Sequence, residues 1–338
     1  MQAAQTAWDQ ASVKCWNYSR QDCKEHSAAC IWMLICASHG ERCDMAIEFR
    51  QWDVFTDRAL GGNPLGIFPH AQDMDTEMMQ ALTREMNLSE CTFICGGGDG
   101  RYKVRIFTPD REMIFAGHPV VGTAAYIFRN LEPASDEISL ELMRDVVSIR
   151  RLQHDGQMLS CFTSPPVRWH GELPDRQLAA RLCSLAEDKL DPRHATGLLD
   201  VGPTYCIVPV RDRDALESAC CDITALRELH ASTGFDQLTV VCDGGYADGG
   251  QFSTRMFAPL HGVMEDAATG SSACCLSEYL ALTGRLEGMA GRFIGLDQGY
   301  SMHRPSRIWF NVAGGSDNRL IRIAGGALEV ASGEFRID

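Results

Sequence analysis

The sequence predicts an α+β fold of two pseudo-symmetric lobes, each a mixed β-sheet wrapped around one central helix. Residues 105–109 read RIFTP and residues 255–259 read RMFAP, and each motif is followed by a glycine-led stretch, at Gly122 and at Gly270. The offsets of 150 and 148 positions align with a two-residue gap. Such a duplication implies two similar lobes that face each other. Strand patterns also outnumber helix patterns, and each half holds one markedly apolar helix.

In the first half, apolar alternation predicts strands over residues 49–55, 65–68, 91–95 and 101–107, and the GGNP stretch at 61–64 is interpreted as a turn between the first two. Asp75 is suited to cap an intervening helix, whose apolar face is formed by Met79, Leu82 and Met86. The central helix of this half covers residues 119–128, and strands follow over residues 137–162. The Pro165-Pro166 pair then marks the lobe boundary.

The second half repeats this mixture of elements. Helices are predicted over residues 176–185 and 222–230, and strands over residues 204–210, 238–242, 306–312, 319–323 and 327–330. The central apolar helix covers residues 270–282. The sequence therefore predicts an N-terminal lobe of residues 45–164 and a C-terminal lobe of residues 165–338.

The composition is that of an acidic globular protein. Its 31 Lys and Arg against 45 Asp and Glu disfavour nucleic acid as a partner, because phosphate contacts need clustered cations. No apolar run is long enough to span a bilayer, so no membrane contact is expected. The fifteen cysteines form no CxxC pair, and we interpret them as reduced, mostly buried thiols of a cytoplasmic protein.

Residues 1–44 differ from the rest of the chain. They hold five of the fifteen cysteines and show no periodic apolar face. A zinc site is one interpretation, but the spacing matches no common structural site for its candidate ligands Cys23, His26, Cys30 and Cys36. We favour a non-core, poorly ordered extension or translated upstream sequence, with the first lobe starting at Met45.

The candidate chemistry lies where the two central helices begin. At the offset of 148 positions His118 falls opposite Asp266, which places an imidazole and a carboxylate on facing walls of one cleft. Helix N-termini carry unpaired N–H groups and a partial positive charge, so two of them together would hold an anion such as a carboxylate. Thr269 or Asp266 is suited to cap the second helix, and Glu90 adds an acid just before a strand. Each residue alone is explained as a cap or a solvated side chain, but their pairing indicates a site.

Several motifs resemble, in order, those of the phenazine-biosynthesis (PhzF-type) isomerase family. They are DVFTD at residues 53–57, GGNP at 61–64, NLSE at 87–90, FTPDRE at 107–112, FAGHP at 115–119, RMFAP at 255–259, EDAATGS at 265–271 and QGYSMHRPS at 298–306. Together they cover nearly everything after Met45. The resemblance implies a diaminopimelate-epimerase-like fold whose lobes exchange C-terminal strands, and it implies a homodimer.

The resemblance also implies a cofactor-independent isomerase that acts on a small acidic metabolite, namely an unsaturated or cyclic carboxylic acid. Glu90 matches the family glutamate that shuttles a proton, and His118 and Asp266 match the histidine and aspartate that assist it. The predicted substrate-binding residues, which include the positions that hold the substrate carboxylate, are Ser89, Gly117, Gly270 and Ser271. No cofactor and no metal are implied.

Other interpretations remain beside this one. A two-cysteine racemase or epimerase needs a thiol at each helix start, where this chain has Ala116 and Thr269. A non-catalytic binding or scaffold protein that kept the fold is an alternative, against which the retained acid, histidine and aspartate argue. A metal site built from the same trio is disfavoured because helix N-termini repel cations. The substrate is also open, since the family often has glycine where His303 stands.

We predict that residues 1–44 are dispensable for folding, because they offer no apolar face on which a core could depend. A protein that starts at Met45 is expected to melt at the same temperature as the full chain in a calorimetric scan. A large loss of stability on truncation would show that the extension belongs to the fold.

Overall fold

The computed structural model describes residues 45–315 and 318–337. The chain divides into two units, and the architecture below is that of the larger one, Glu48–Glu334. The smaller unit takes in residues 1–47 and 335–338, of which the described part is the beginning of the first strand and the end of the last one. The predicted extension and its zinc alternative lie outside the described residues, and the lobe boundaries stay predictions.

The described residues form eighteen strands and six α-helices. The strands are β1 Met45–Val54, β2 Asn63–Phe68, β3 Glu90–Gly98, β4 Arg101–Phe107, β5 Glu112–Met113, β6 Glu137–Glu141, β7 Val146–His154, β8 Gln157–Thr163, β9 Arg168–Leu173, β10 Thr196–Asp200, β11 Thr204–Pro209, β12 Leu238–Asp243, β13 Gly250–Ala258, β14 Val263–Asp266, β15 Phe293–Gln298, β16 Ser306–Ala313, β17 Leu320–Gly325 and β18 Ala327–Ile337. The helices are α1 Thr76–Met86, α2 Gly117–Asn130, α3 Arg176–Leu182, α4 Arg213–Ser218, α5 Ile223–Thr233 and α6 Gly270–Leu282. Short 3₁₀ helices cover Glu187–Lys189, Pro259–His261 and Tyr300–Met302.

The first half of the sheet surrounds helix α2. Strand β1 pairs with β2 antiparallel, β2 with β3 parallel, β3 with β4 antiparallel and β4 with β6 parallel. Strands β6, β7 and β8 continue as an antiparallel meander. Helix α2 contacts β2, β3, β6, β7 and β8, and most of its residues are buried. A helix with apolar residues on all sides is stable only inside such a surround.

The second half repeats this arrangement around helix α6. Strands β9, β10 and β11 are antiparallel, β11 and β12 are parallel, and β12 and β13 are antiparallel. Strand β13 then pairs with β15 in parallel, and β15, β16 and β17 complete the antiparallel end. Helix α6 contacts β10, β11, β16 and β17. The predicted α+β fold, with one central helix in each half of the sheet, is confirmed.

A late strand joins the two halves into one continuous sheet. Strand β17 pairs with β16 on one side and with β8 on the other, where Arg322 lies opposite Thr163 and Gly325 opposite Ser160. The C-terminal part of the chain therefore completes the sheet of the first half, as the resemblance implied.

The peripheral helices begin at aspartate caps, of which the sequence predicts the one at Asp75. Helix α1 starts after Asp75, whose carboxylate accepts a hydrogen bond from the Met78 N–H, and it ends at Asn87 in the left-handed conformation. The helices α3, α4 and α5 have the same kind of cap, at Asp175, Asp212 and Asp222. Each cap satisfies a backbone donor that would otherwise lack a partner. None of the helices in residues 45–315 and 318–337 has the length and apolar character that a membrane span requires.

A buried ion pair links the start of the first half to a late loop of the second. Arg304 donates to the Asp53 carboxylate at 2.6 Å and to the carbonyls of Gly61 and Gly62 at 2.6 and 2.7 Å. The Asp53 side chain is 1% exposed, and its other oxygen accepts a hydrogen bond from the Leu60 N–H at 2.7 Å. One guanidinium therefore satisfies a buried carboxylate and two loop carbonyls across 251 positions of sequence.

We predict that Arg304→Ala destabilises the fold by about 3 kcal/mol, because it leaves the buried Asp53 carboxylate without its cation. Urea unfolding of both proteins measures the difference. Arg227→Ala, which removes an exposed arginine of α5, is the matched control and is expected to change the stability by less than about 0.5 kcal/mol. Equal losses in the two variants would contradict a special role for the Arg304 ion pair.

Candidate active site

The two central helices meet at their N-terminal glycines. A Cβ atom on Gly117 would lie 2.7 Å from the Gly270 Cα, and a Cβ atom on Gly270 would lie 2.9 Å from the Gly117 Cα. Atoms cannot approach so closely without displacement, so the backbones touch only because neither residue has a side chain. The predicted convergence of the two helix starts is therefore built into the packing.

Within the described structure, neither central helix donates a backbone N–H hydrogen bond to its own N-cap side chain. The cap residues are Ala116 and Thr269, both with extended backbone. Thr269 thus occupies the N-cap position of α6, as the sequence predicts, but neither it nor Asp266 provides a side-chain cap, because the Thr269 hydroxyl donates to the Asp266 carboxylate at 2.5 Å. In the peripheral helices, by contrast, an aspartate side chain accepts a hydrogen bond from a first-turn N–H. The two central helices thus keep first-turn N–H groups that no cap side chain occupies, which suits an anion.

Glu90 and His118 face each other beside these helix starts. Glu90 is the first residue of β3 and His118 is the second residue of α2. The Glu90 Oε2 and His118 Nε2 atoms are 3.7 Å apart, which is too long for a hydrogen bond. Both atoms are buried, and neither has a hydrogen-bond partner among the described residues. Two buried polar atoms that face one gap without partners indicate a place for a third group.

Asp266 is held by donors from several elements. Its Oδ1 accepts from the Asn63 amide at 2.8 Å and from the Ala267 N–H at 3.1 Å, and its Oδ2 accepts from Thr269. The Gln298 amide donates to the Asp266 carbonyl at 2.8 Å and to the Thr269 hydroxyl at 3.1 Å. Asp266 is therefore a buried carboxylate whose position is fixed by hydrogen bonds from the surrounding protein groups.

Burial shifts the pKa of each of the three groups in the direction that favours its neutral form. It raises the pKa of Glu90 to about 7, against a smaller lowering by the Ser89 hydroxyl. It lowers the pKa of His118 to about 4, although the Asp266 charge and a hydrogen bond to the Pro64 backbone act in the opposite direction. Burial and then the Glu90 charge raise the pKa of Asp266 to about 6. Glu90 is consequently able to hold or release a proton near neutral pH.

The predicted substrate-binding residues lie in the same network, and two of them already have hydrogen-bond partners there. Ser89 donates to the Asn63 side-chain oxygen at 3.4 Å. The buried Ser271 hydroxyl is hydrogen-bonded to the Tyr205 hydroxyl at 2.7 Å. Gly117 and Gly270 provide the helix–helix contact itself. The structure thus brings together all seven residues that the sequence singled out, although Ser271 already has a partner.

The sequence analysis does not predict four features of the network. These are the participation of Asn63, Tyr205 and Gln298, and the hydrogen bond that Thr269 donates to Asp266. Asn63 and Gln298 both lie inside motifs that the sequence analysis quoted, as GGNP and QGYSMHRPS. Those motifs were the available signal, but the GGNP stretch was interpreted as a turn. Tyr205 is a fully buried strand residue, which the sequence does not distinguish from core.

Among the described residues, the N-cap positions of the two central helices carry alanine and threonine rather than cysteine. Cys274 and Cys275 lie inside α6, where both are buried, and burial raises the pKa of Cys274 to about 12. A two-cysteine racemase needs one thiolate and one thiol exposed to a shared substrate. These two cysteines instead pack as small apolar residues.

We predict that Glu90→Gln changes stability in a pH-dependent way. The pKa of Glu90 is about 7 in the folded protein and 4.5 when unperturbed, so between these values the folded state holds more protons than the unfolded state. Wild-type stability should therefore fall as the pH rises through this range, whereas glutamine does not titrate. The melting temperature of Glu90→Gln relative to wild type is expected to increase from pH 4.5 to 7 and then to level off. The exposed control Glu85→Gln should show no such trend, and a flat difference for Glu90→Gln would contradict the raised pKa.

Comparison with known proteins identifies the family. A family model described as "Phenazine biosynthesis-like protein" matches residues 52–333. The chain is 34% identical over 288 residues to the trans-2,3-dihydro-3-hydroxyanthranilate isomerase of Pseudomonas aeruginosa, with 83% of this chain and 96% of that protein covered.

Solved structures show the same fold. A PhzF-family phenazine biosynthesis protein from Bacillus anthracis matches 87% of this chain and 100% of its own, with a TM-score of 0.81 at 22% identity. A predicted epimerase from Pseudomonas aeruginosa matches 86% of this chain and 100% of its own, with a TM-score of 0.72 at 29% identity. The resemblance noted in the sequence is thus confirmed, and the chain belongs to the phenazine biosynthesis-like protein family as an isomerase of the PhzF type.

Proposed function

We propose that this isomerase moves a proton from one carbon to another on a small unsaturated or cyclic carboxylic acid, with Glu90 as the proton shuttle and without a cofactor. The observation that carries the proposal is the pair of buried, unpartnered atoms, Glu90 Oε2 and His118 Nε2, 3.7 Å apart within the described part of the chain. Leaving such groups unpaired costs free energy. A bound substrate that enters between them restores the missing interactions.

The chemistry follows from the state of Glu90. As a carboxylate, it takes a proton from a carbon beside an unsaturated system, and the C–H electron pair moves into that system. The protonated Glu90 then returns the proton to a different carbon, so one C–H bond breaks, another forms and the double bond moves. Nothing is oxidised or reduced overall. A general base with a pKa near the working pH is the most effective for such a transfer, which a pKa of about 7 provides.

His118 and Asp266 support this step in different ways. His118 is neutral at pH 7, because its pKa is about 4, and it therefore acts through hydrogen bonding rather than through charge. Asp266 is held rigidly by Asn63, Ala267 and Thr269, so it orients polar substituents of the substrate. Groups fixed in advance stabilise the charge that develops in the transition state without the cost of reorganising them.

The substrate carboxylate is expected to bind at the two helix starts. The first-turn N–H groups of these helices donate to no N-cap side chain, and the helix dipoles favour an anion there. Gly117 and Gly270 let the two helix starts approach each other closely, since neither has a side chain in the way, and this brings both sets of N–H groups to one place. This arrangement explains how a chain with a net charge of −14 binds an acid without an arginine cluster.

The relative from Pseudomonas aeruginosa supplies the first substrate to test, trans-2,3-dihydro-3-hydroxyanthranilate, which its name contains. We predict that turnover in heavy water places deuterium on the product carbon, because the proton on Glu90 exchanges with solvent. Mass spectrometry of the product measures this incorporation. Complete retention of the original hydrogen would contradict a shuttle that is open to solvent.

Glu90→Gln removes the base but keeps the shape of the side chain, so the chemical step should fall by roughly 10²- to 10⁴-fold while ligand binding survives. Glu85→Gln, on the exposed side of α1, is the control and should keep wild-type turnover. Wild-type turnover by Glu90→Gln would exclude Glu90 as the base. Binding of small acids without any turnover by the intact protein would instead favour the non-catalytic binding protein.

A further inference from the structure

Gln298 ends strand β15 beside the segment that leads into α6, and it is only 1% exposed. Its amide nitrogen donates to the Asp266 carbonyl oxygen at 2.8 Å and to the Thr269 hydroxyl oxygen at 3.1 Å. Its amide oxygen accepts from the Thr269 N–H at 3.2 Å. One buried amide therefore binds both ends of the turn that connects Asp266 to the helix.

The backbone partners of Gln298 determine which way its amide points. A backbone carbonyl can only accept and a backbone N–H can only donate, so the amide nitrogen faces the Asp266 carbonyl and the amide oxygen faces the Thr269 N–H. A flipped amide would lose both of these bonds. The second amide proton is consequently directed at the Thr269 hydroxyl oxygen.

This arrangement also fixes the direction of the Thr269 hydroxyl. The hydroxyl oxygen accepts from Gln298, whose amide nitrogen cannot accept a proton in return. The single hydroxyl proton is donated to the Asp266 Oδ2 at 2.5 Å. The side chains of Gln298 and Thr269 thus form a chain of hydrogen bonds in which both donors point toward the Asp266 carboxylate.

Within the described structure, the contacts of the Asp266 carboxylate are with donors. Its Oδ1 accepts from the Asn63 amide and from the Ala267 N–H, and its Oδ2 accepts from Thr269. Since each carboxylate oxygen has about two acceptor positions, one position remains, and it is on Oδ2. Hydrogen bonds from donors favour the ionised form of an acid over the protonated form.

The titratable groups around Asp266 act on the same equilibrium. Burial and then the charge of Glu90 on β3 raise the pKa of Asp266 to about 6, whereas His118 on α2 and the hydrogen bonds of the carboxylate lower it. Tyr205 on β11 carries no charge near neutral pH, because burial raises its pKa further. A pKa so close to neutrality means that the loss of one donor would leave a substantial part of Asp266 protonated at pH 7.

We propose that Gln298 is a positioning residue that acts on Asp266 through Thr269: its amide holds the Thr269 hydroxyl as a donor, and this hydroxyl keeps the Asp266 carboxylate ionised and in one orientation. The chain of hydrogen bonds does not depend on the reaction. Its use in catalysis rests on the proposed function, in which the remaining acceptor position on Oδ2 binds an N–H or O–H of the substrate. A protonated Asp266 would fill that position with its own proton.

The experiment measures the pKa of Asp266 by carbon-13 NMR of the full chain labelled with [γ-¹³C]aspartate, and no substrate is needed. All proteins carry Glu90→Gln, so that the titration of Glu90 does not overlap with that of Asp266. The Asp266 signal is assigned by its loss in Asp266→Asn. Thr269→Val is expected to raise the pKa by about 1, because the charged form loses a donor, whereas Thr269→Ser should keep it. Thr283→Val, which removes a hydroxyl at the other end of α6, is the matched control and should have no effect.

A double-mutant cycle tests whether Gln298 acts through Thr269. Gln298→Met is expected to raise the pKa of Asp266 when Thr269 is present and to have no further effect in the Thr269→Val background. Equal effects of Gln298→Met in the two backgrounds would overturn the proposal, and so would an unchanged Asp266 pKa in Thr269→Val. If Gln298→Met does not fold, Gln298→Asn, which withdraws the amide by one methylene group, takes its place with the same expectation. The titration is measured whether or not the protein turns over an acid, so its failure is distinct from a failure of the proposed function.

Discussion

The contact between two glycines at the starts of α2 and α6 is the constraint on which the site depends. Gly117 and Gly270 bring the positive ends of two helix dipoles within van der Waals distance, an arrangement that is electrostatically unfavourable by itself. Acidic groups offset it: Glu90 and Asp266 lie beside the junction, and an acidic ligand adds a further negative charge. A side chain at either glycine would separate the helices and, with them, the His118 and Asp266 walls of the site.

Burial acts on the three titratable groups in a consistent direction. It raises the pKa of the two acids and lowers that of the imidazole, so each is pushed toward its uncharged form. At Asp266, hydrogen bonds from Thr269 and Asn63 act against this rise in pKa, whereas Glu90 Oε2 accepts no hydrogen bond among the described residues. This difference in hydrogen bonding is consistent with the roles proposed above, in which Asp266 orients the substrate and Glu90 exchanges its proton.

Local signals predict many of the elements, but not helix α4 or the strands β9, β10 and β15. The Asp75 cap and the bounds of α6, Gly270–Leu282, are as predicted, because capping and glycine starts are local properties. Helix α2 begins two residues before the predicted start, since Pro119 in the first turn needs no N–H partner. Asn63 was interpreted as part of a turn because its partners, up to 205 positions away, are set by strand pairing. The homodimer, the cytoplasmic location and the role of residues 1–44 stay predictions.

The pairing of β17 with β8 has a consequence for how the chain is made. During translation, the strands of the first half up to β8 are synthesised early. Strand β17, which pairs with the free edge of β8, is synthesised only with residues 320–325. An uncovered strand edge is a template for pairing with other chains. The nascent chain therefore carries an open edge for about half of its translation, and contacts of such long sequence separation make the final closure slow.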